Sequence, residues 1–140
     1  MIKIVSATLK SAEDFEEKTA LGASLKRLTF DGRITARVAF QNTAGLPVVH
    51  NRAIEAPDAA EMLVFIHDDV WIDDYFFAER IKTSLQNFDI IGVAGNRRRV
   101  ARQPSWLFGA PGPGNVSTKD RENHSGAVAH GKTPFGSVDY

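Results

Sequence analysis

The stretch Glu61-Met-Leu-Val-Phe-Ile-His-Asp-Asp-Val70 decides the fold that we predict for this chain. Its five consecutive apolar residues are typical of a strand covered on both faces, as in a parallel sheet with helices on each side. His67, Asp68 and Asp69 follow at the carboxyl end of this strand, where open α/β sheets bind their ligands. Adjacent carboxylates repel each other unless a cation or a hydrogen-bond donor compensates. The sequence therefore indicates either a divalent cation that bridges to substrate phosphates, or two acids that only cap the next turn.

The segments around this strand alternate between strand and helix patterns. We predict strands over residues 2–7, 34–40, 62–66 and 88–94, with helical segments between them. In the first helical segment, Ser11 begins a capping-box pattern and Gly22 is predicted to break the segment into two short helices. The order β-α-β-α-β-α-β implies a three-layer α/β/α fold with a mostly parallel sheet.

Composition limits the classes of protein to which the chain can belong. Its 140 residues predict a single domain, with a βα core over residues 1–100 and a Gly/Pro-rich loop over 101–140 that ends in the start of a further strand. Lys plus Arg (17) equals Asp plus Glu (17), so no global field favours nucleic acid as a partner. The absence of cysteine excludes disulfides and thiolate chemistry. Without an apolar run of membrane-spanning length or a signal peptide, we expect a cytoplasmic protein with no transmembrane segment.

Three groups of residues together carry a resemblance to a known family. They are Gly45-Leu-Pro47 with His50-Asn-Arg-Ala53, then Phe65-Ile-His-Asp-Asp-Val70, and Ile90-Ile-Gly-Val-Ala-Gly95. They resemble the nucleotide-sugar glycosyltransferases of the GT-A fold, and within that fold most of all the family 2-like group typified by the streptomycin-biosynthesis-type glycosyltransferase-like domain. The similarity extends over about residues 1–109. This resemblance implies a Rossmann-like, nucleotide-diphospho-sugar transferase fold that binds a nucleoside diphosphate sugar with Mn²⁺ or Mg²⁺.

The resemblance also implies roles for individual residues. Asp69 matches the last acid of the Asp-x-Asp motif, which holds the metal on the donor diphosphate. His67 stands in place of the first acid, as a possible second metal ligand, which leaves Asp68 as a contact to the ribose or as a bystander. Asn51 matches the asparagine of the helix over the donor site, and Asn42 is expected near the nucleotide.

Two further features bear on function. Arg97 belongs to the only basic cluster, which either binds donor phosphates or an anionic acceptor, or is a solvated loop. In the resembled families the catalytic base lies beyond the equivalent of Tyr140, so no base is assigned, and we expect a fragment or an incomplete transferase. The acceptor stays open between a saccharide, a lipid and a small molecule. The alternative is a catalytically inactive or truncated α/β binding or assembly module, and an unpaired final strand would favour a homo-oligomer.

Overall fold

The computed structural model describes residues 1–126, 128–131 and 137–139, and the chain divides into two compact units, Met1–Ser84 and Leu85–Tyr140. The first unit alternates strands and helices. Its elements in order are β1 Ile2–Ala7, α1 Ala12–Lys18, α2 Ala20–Arg27, β2 Ile34–Ala39, α3 Leu46–Ile54, β3 Met62–Phe65 and α4 Phe77–Ser84.

The three strands of the first unit form one parallel sheet in the order β2-β1-β3. Ile2 of β1 lies opposite Ile34 of β2 and Met62 of β3, so β1 is the central strand. Because parallel neighbours need crossover connections, helices lie between the strands in sequence, as predicted. The structure thus confirms a mixed α/β chain with a parallel sheet and the first three predicted strands.

Apolar side chains pack on both faces of this sheet, because successive residues of a strand point to opposite sides. Ile4 of β1 belongs to a cluster on the face that carries α1 and α2, whose other buried members are Phe15, Leu21, Leu28 and Ile72. Val5, the next residue, packs on the other face with Val49 and Ala53 of α3. Partly buried side chains of β3 also belong to the two clusters, Val64 to the first and Leu63 to the second, although β3 lies at the edge of this sheet.

The two helices after β1 are separated at Thr19, so the predicted break at Gly22 was wrong. The Ser11 side chain caps α1 by accepting from the backbone N–H of Asp14 at 3.1 Å, as the capping pattern predicted. Thr19 ends α1 and begins α2, and its Oγ1 accepts from the Gly22 N–H at 2.9 Å. Gly22 lies inside α2, where a Cβ would come 2.1 Å from the Phe15 carbonyl oxygen. The glycine therefore serves the close approach of two helices, and a threonine hydroxyl supplies the cap.

The second unit contains short antiparallel pairs. β4 Ala94–Asn96 pairs with β5 His124–Gly126, and β6 Val128–His130 pairs with β7 Ser137–Asp139. The strand predicted over 88–94 was wrong, since only its last residue belongs to a strand and that strand is antiparallel. A short apolar run does not by itself specify a strand, and Gly92 weakens this one. The strand predicted from Ser137 is confirmed as far as Asp139, and Tyr140 lies outside the described residues.

No helix in the described part of the chain has the length and apolar character of a membrane span.

Candidate functional site

The carboxyl ends of the three parallel strands are joined by backbone hydrogen bonds. After β1, the Thr8 N–H donates to the carbonyl of Ala39 at 3.0 Å, and the Thr8 carbonyl accepts from the N–H of Asn42 at 2.9 Å. On the other side, the Ile66 N–H donates to the carbonyl of Val5 at 3.1 Å. The loops after all three strands therefore begin from one fixed edge of the sheet, which is the edge where α/β proteins place their ligands.

Thr8 links this edge to the acidic turn. Its side chain is buried, with 4% of the residue exposed, and its Oγ1 donates to Asp68 Oδ2 at 2.5 Å. The same oxygen accepts from the Lys10 N–H at 3.1 Å. The Asp68 carbonyl in turn accepts from the N–H of Leu21, in the first turn of α2, at 3.0 Å. Asp68 is thus held by side chain and backbone, and a donor compensates part of its charge.

The far end of the same loop is also tied to α2. The Ile72 N–H donates to Ser24 Oγ at 2.9 Å, and Ser24 is fully buried. Arg27 donates from Nη2 to the Ile72 carbonyl at 2.9 Å and forms a salt bridge from Nη1 to Asp73 at 3.2 Å. Residues 67–72, which we call the acidic turn, are therefore fixed at both ends by buried or half-buried partners.

Asp69, between these anchors, and His67, just before the first of them, are exposed. The Val70 N–H donates to the His67 carbonyl at 3.4 Å, which closes the turn. Within the described residues, neither side chain has a hydrogen-bond or salt-bridge partner. The Asp69 carboxylate is consequently accessible to a cation or a ligand.

Asp69 would contribute one ligand to a metal rather than complete a site. In residues 1–126, 128–131 and 137–139, no group of three or more His, Asp or Glu side chains could hold a metal ion. Mg²⁺ commonly binds proteins through only one or two carboxylates and takes its other ligands from substrate phosphates and waters. The exposed Asp69 fits that mode of binding and does not fit a metal held by protein ligands alone.

The two predicted asparagines lie elsewhere. Asn42 uses its amide locally, donating to the Ala44 carbonyl at 2.7 Å and accepting from the Ala44 N–H at 3.3 Å. It follows Gln41, whose φ of 47° is uncommon for a residue other than glycine. Asn51 is exposed on α3, about half a helical turn away from the buried Val49 and Ala53. The structure brings the backbone of Asn42 to the sheet edge but shows no described contact between Asn51 and the acidic turn.

Arg97 belongs to the second unit. Its N–H donates to the Asn123 carbonyl at 2.8 Å and its Nη2 to the Glu122 carbonyl at 3.1 Å. Arg97 also lines an open depression of about 470 Å³, together with Ser125 and the small or apolar residues Gly92, Val93, Ala94, Gly95 and Gly126. This arginine is therefore partly used for structure and partly presented to a surface depression.

The polar centre of the second unit is Asp120. Its carboxylate accepts from Asn123 Nδ2 at 2.7 Å and from Asn96 Nδ2 at 3.4 Å, and it pairs with Arg98 Nη2 at 3.4 Å. The hydrogen bond from Asn123, followed by those from Asn96 and the charge of Arg98, lowers the pKa of Asp120. A carboxylate held in this way stays ionised at neutral pH and orders the segments around it.

Sequence reasoning missed Thr8, Ser24 and Asp120, although one pattern pointed to the first. Ile2, Ile4 and Ser6 occupy one face of β1, and Thr8 follows at the next position of the same alternation. A polar side chain that continues a buried face requires a partner. For Ser24 and Asp120 no comparable pattern exists, because Ser24 accepts from Ile72, 48 residues away, and Asp120 accepts from Asn96, 24 residues away. No protein-family model, curated protein or solved structure matches the chain.

Proposed function

We propose that this chain is a glycosyltransferase-like domain that binds a nucleoside diphosphate sugar through a divalent cation at Asp69. The three-stranded parallel sheet would then be the first part of a GT-A-like three-layer fold. The observation that carries the proposal is that the two aspartates of the acidic turn differ in their contacts. Asp68 is fixed by Thr8 and Leu21, while Asp69 is left exposed at the carboxyl edge of the sheet.

The proposed roles follow from which polar groups at the carboxyl edge of the sheet are free to contact a ligand. Mn²⁺ or Mg²⁺ would be held by Asp69, with His67 beside it as a second contact to the metal or to the nucleotide. Such a cation acts as a Lewis acid, neutralising charge on the departing nucleoside diphosphate. The remaining oxygen of Asp68 and the backbone around Asn42 border the same edge of the sheet. Sugar transfer also requires a base for the acceptor hydroxyl, and we assign no residue to that role.

A second candidate is a catalytically silent α/β binding or assembly module. The observation that favours it is that the described residues hold no group of three or more side chains that could bind a metal ion. In this case Asp69 would be a solvated surface acid, and Asp68 would serve only to cap and anchor its turn. The two candidates differ in whether the protein binds a nucleotide in a metal-dependent way.

Isothermal titration calorimetry separates the candidates. UDP and GDP would each be titrated with Mn²⁺ and with a chelator into the unsubstituted protein, into Asp69→Ala, and into the control Glu17→Ala, which removes an exposed acid from α1. We expect Mn²⁺-dependent binding of one nucleotide, a loss of at least tenfold in affinity in Asp69→Ala, and no change in the control. That loss corresponds to removing one charged ligand from the cation.

Either of two results would contradict the donor-site proposal. The first is no heat of binding for either nucleotide with Mn²⁺ present. The second is binding that Asp69→Ala leaves intact, which would place the nucleotide elsewhere. Transfer of a labelled sugar to an acceptor would then distinguish an enzyme from a domain that only binds the donor.

A further inference from the structure

An exposed apolar segment begins the second unit. Between Phe88 and Val93, four large apolar side chains face solvent, with Ile90 90% and Val93 85% exposed. Ile91 is the fourth. Single exposed apolar residues are ordinary on protein surfaces, but contiguous ones mark surfaces that bind a partner or a membrane.

A basic segment follows within a few residues. Arg97, Arg98 and Arg99 are consecutive, and Arg102 follows them. Arg97 and Arg98 are engaged by Glu122 and Asp120, whereas Arg99 and Arg102 are exposed and have no hydrogen-bond or salt-bridge partner among the described residues. The sequence of the second unit contains seven Lys and Arg against four Asp and Glu, although the whole chain is neutral.

The two segments meet at the depression described above. Val93, at the end of the apolar segment, and Arg97, at the start of the basic one, both line it. Val93 and Arg97 therefore border one depression, and the other exposed apolar and basic side chains lie within a few residues of them along the chain. We call residues 88–93 with Arg97, Arg99 and Arg102 the amphipathic rim. Gly92, Gly95 and Gly126 also line the depression.

We propose that the amphipathic rim binds an anionic lipid surface. Peripheral membrane segments combine aliphatic and aromatic side chains, which enter the headgroup region, with Lys and Arg, which attract anionic lipids. A second copy of the chain is the less suitable occupant, because two such rims repel each other through their arginines. Nucleic acid is less suitable too, since aliphatic side chains such as Ile90 and Val93 offer bases neither stacking nor hydrogen bonds.

Vesicle cosedimentation tests the proposal on the full chain. The probes are vesicles of phosphatidylcholine alone and of phosphatidylcholine with 30% phosphatidylglycerol, at low and at high salt. The variants are Arg99→Gln/Arg102→Gln and Ile90→Ser/Val93→Ser. Matched controls in the first unit are Arg52→Gln/Lys82→Gln, which removes two exposed cations, and Val48→Ser/Ile54→Ser, which removes two exposed apolar groups.

We expect salt-sensitive binding only to the anionic vesicles. Each basic side chain near such a surface strengthens binding about fivefold, so the double arginine variant should bind about 30-fold more weakly. The double apolar variant should lose at least about tenfold, and both controls should bind as the unsubstituted protein does. Absence of binding to anionic vesicles, or equal losses in variants and controls, would overturn the proposal. So would sedimentation equilibrium showing, without lipid, a dimer that Ile90→Ser/Val93→Ser dissociates, because the rim would then be an interface between copies.

Discussion

Replacing Thr8 by valine tests whether the acidic turn is held in place by a side-chain hydrogen bond. Valine has nearly the shape of threonine and suits a strand end, so the substitution removes the hydroxyl without emptying its space. Two interactions disappear: donation from Oγ1 to Asp68 Oδ2 at 2.5 Å, and acceptance from the Lys10 N–H at 3.1 Å.

The structure indicates the size of the effect on the free energy of unfolding. A hydrogen bond to a charged group stabilises a protein by about 1.5–3 kcal/mol, and a neutral one by about 0.5–1.5 kcal/mol. Asp68 is only half buried, so water replaces part of what its carboxylate loses, and we take the lower ends of these ranges. Thr8→Val should then destabilise the fold by about 2 kcal/mol, or several degrees in Tm. Thr8→Ser, which keeps the hydroxyl, should cost about 1 kcal/mol or less for its lost methyl group.

Urea unfolding followed by circular dichroism measures these changes. A double-mutant cycle of Thr8→Val with Asp68→Ala isolates the pair, and we expect a coupling free energy of at least about 1 kcal/mol. If Thr8→Val stays within about 0.5 kcal/mol of the unsubstituted protein and the cycle shows no coupling, then the bond does not hold the turn. Asp68 would then have no structural role that distinguishes it from Asp69.

Three further predictions concern the core and the pH dependence of stability. Ser6→Ala should leave stability unchanged or raise it by up to about 1 kcal/mol in urea unfolding, because the Ser6 hydroxyl is buried without a described partner. Gly22→Ala should lower Tm and destabilise the fold by more than about 2 kcal/mol, against the helix propensity of alanine, because its Cβ would meet the Phe15 carbonyl. Hydrogen bonds from the Arg33 side chain, then its N–H, lower the pKa of Asp31, so the native state binds fewer protons there than the unfolded chain. This stabilisation should be complete above the unfolded pKa near 3.9 and vanish as pH falls through the lower native value, and Asp31→Asn should flatten the acid limb of stability against pH.

Much of the first unit could be predicted from sequence because its signals are local or periodic. The strand at Ile2–Ala7 and the cap at Ser11 are short-range patterns, and the structure has both where they were predicted. The break at Thr19 was missed because a glycine in a helix was taken for a flexible point, whereas this one allows two helices to approach closely. The strand predicted over 88–94 failed for the opposite reason. Apolar character there is real, but whether such a segment pairs depends on partners distant in sequence.

At the candidate site, local sequence patterns predict even less. Asp68 and Asp69 are chemically identical neighbours, and sequence reasoning gave the metal to one of them only through a resemblance. They differ physically because side chains alternate along β1. Thr8 continues the face that carries Ile4, and from there its hydroxyl donates to Asp68. Once the buried hydroxyl binds Asp68, the next residue along the turn remains exposed. A ligand that needs one free carboxylate at a fixed position can therefore use Asp69, because the neighbouring Asp68 is already hydrogen-bonded to Thr8 and Leu21.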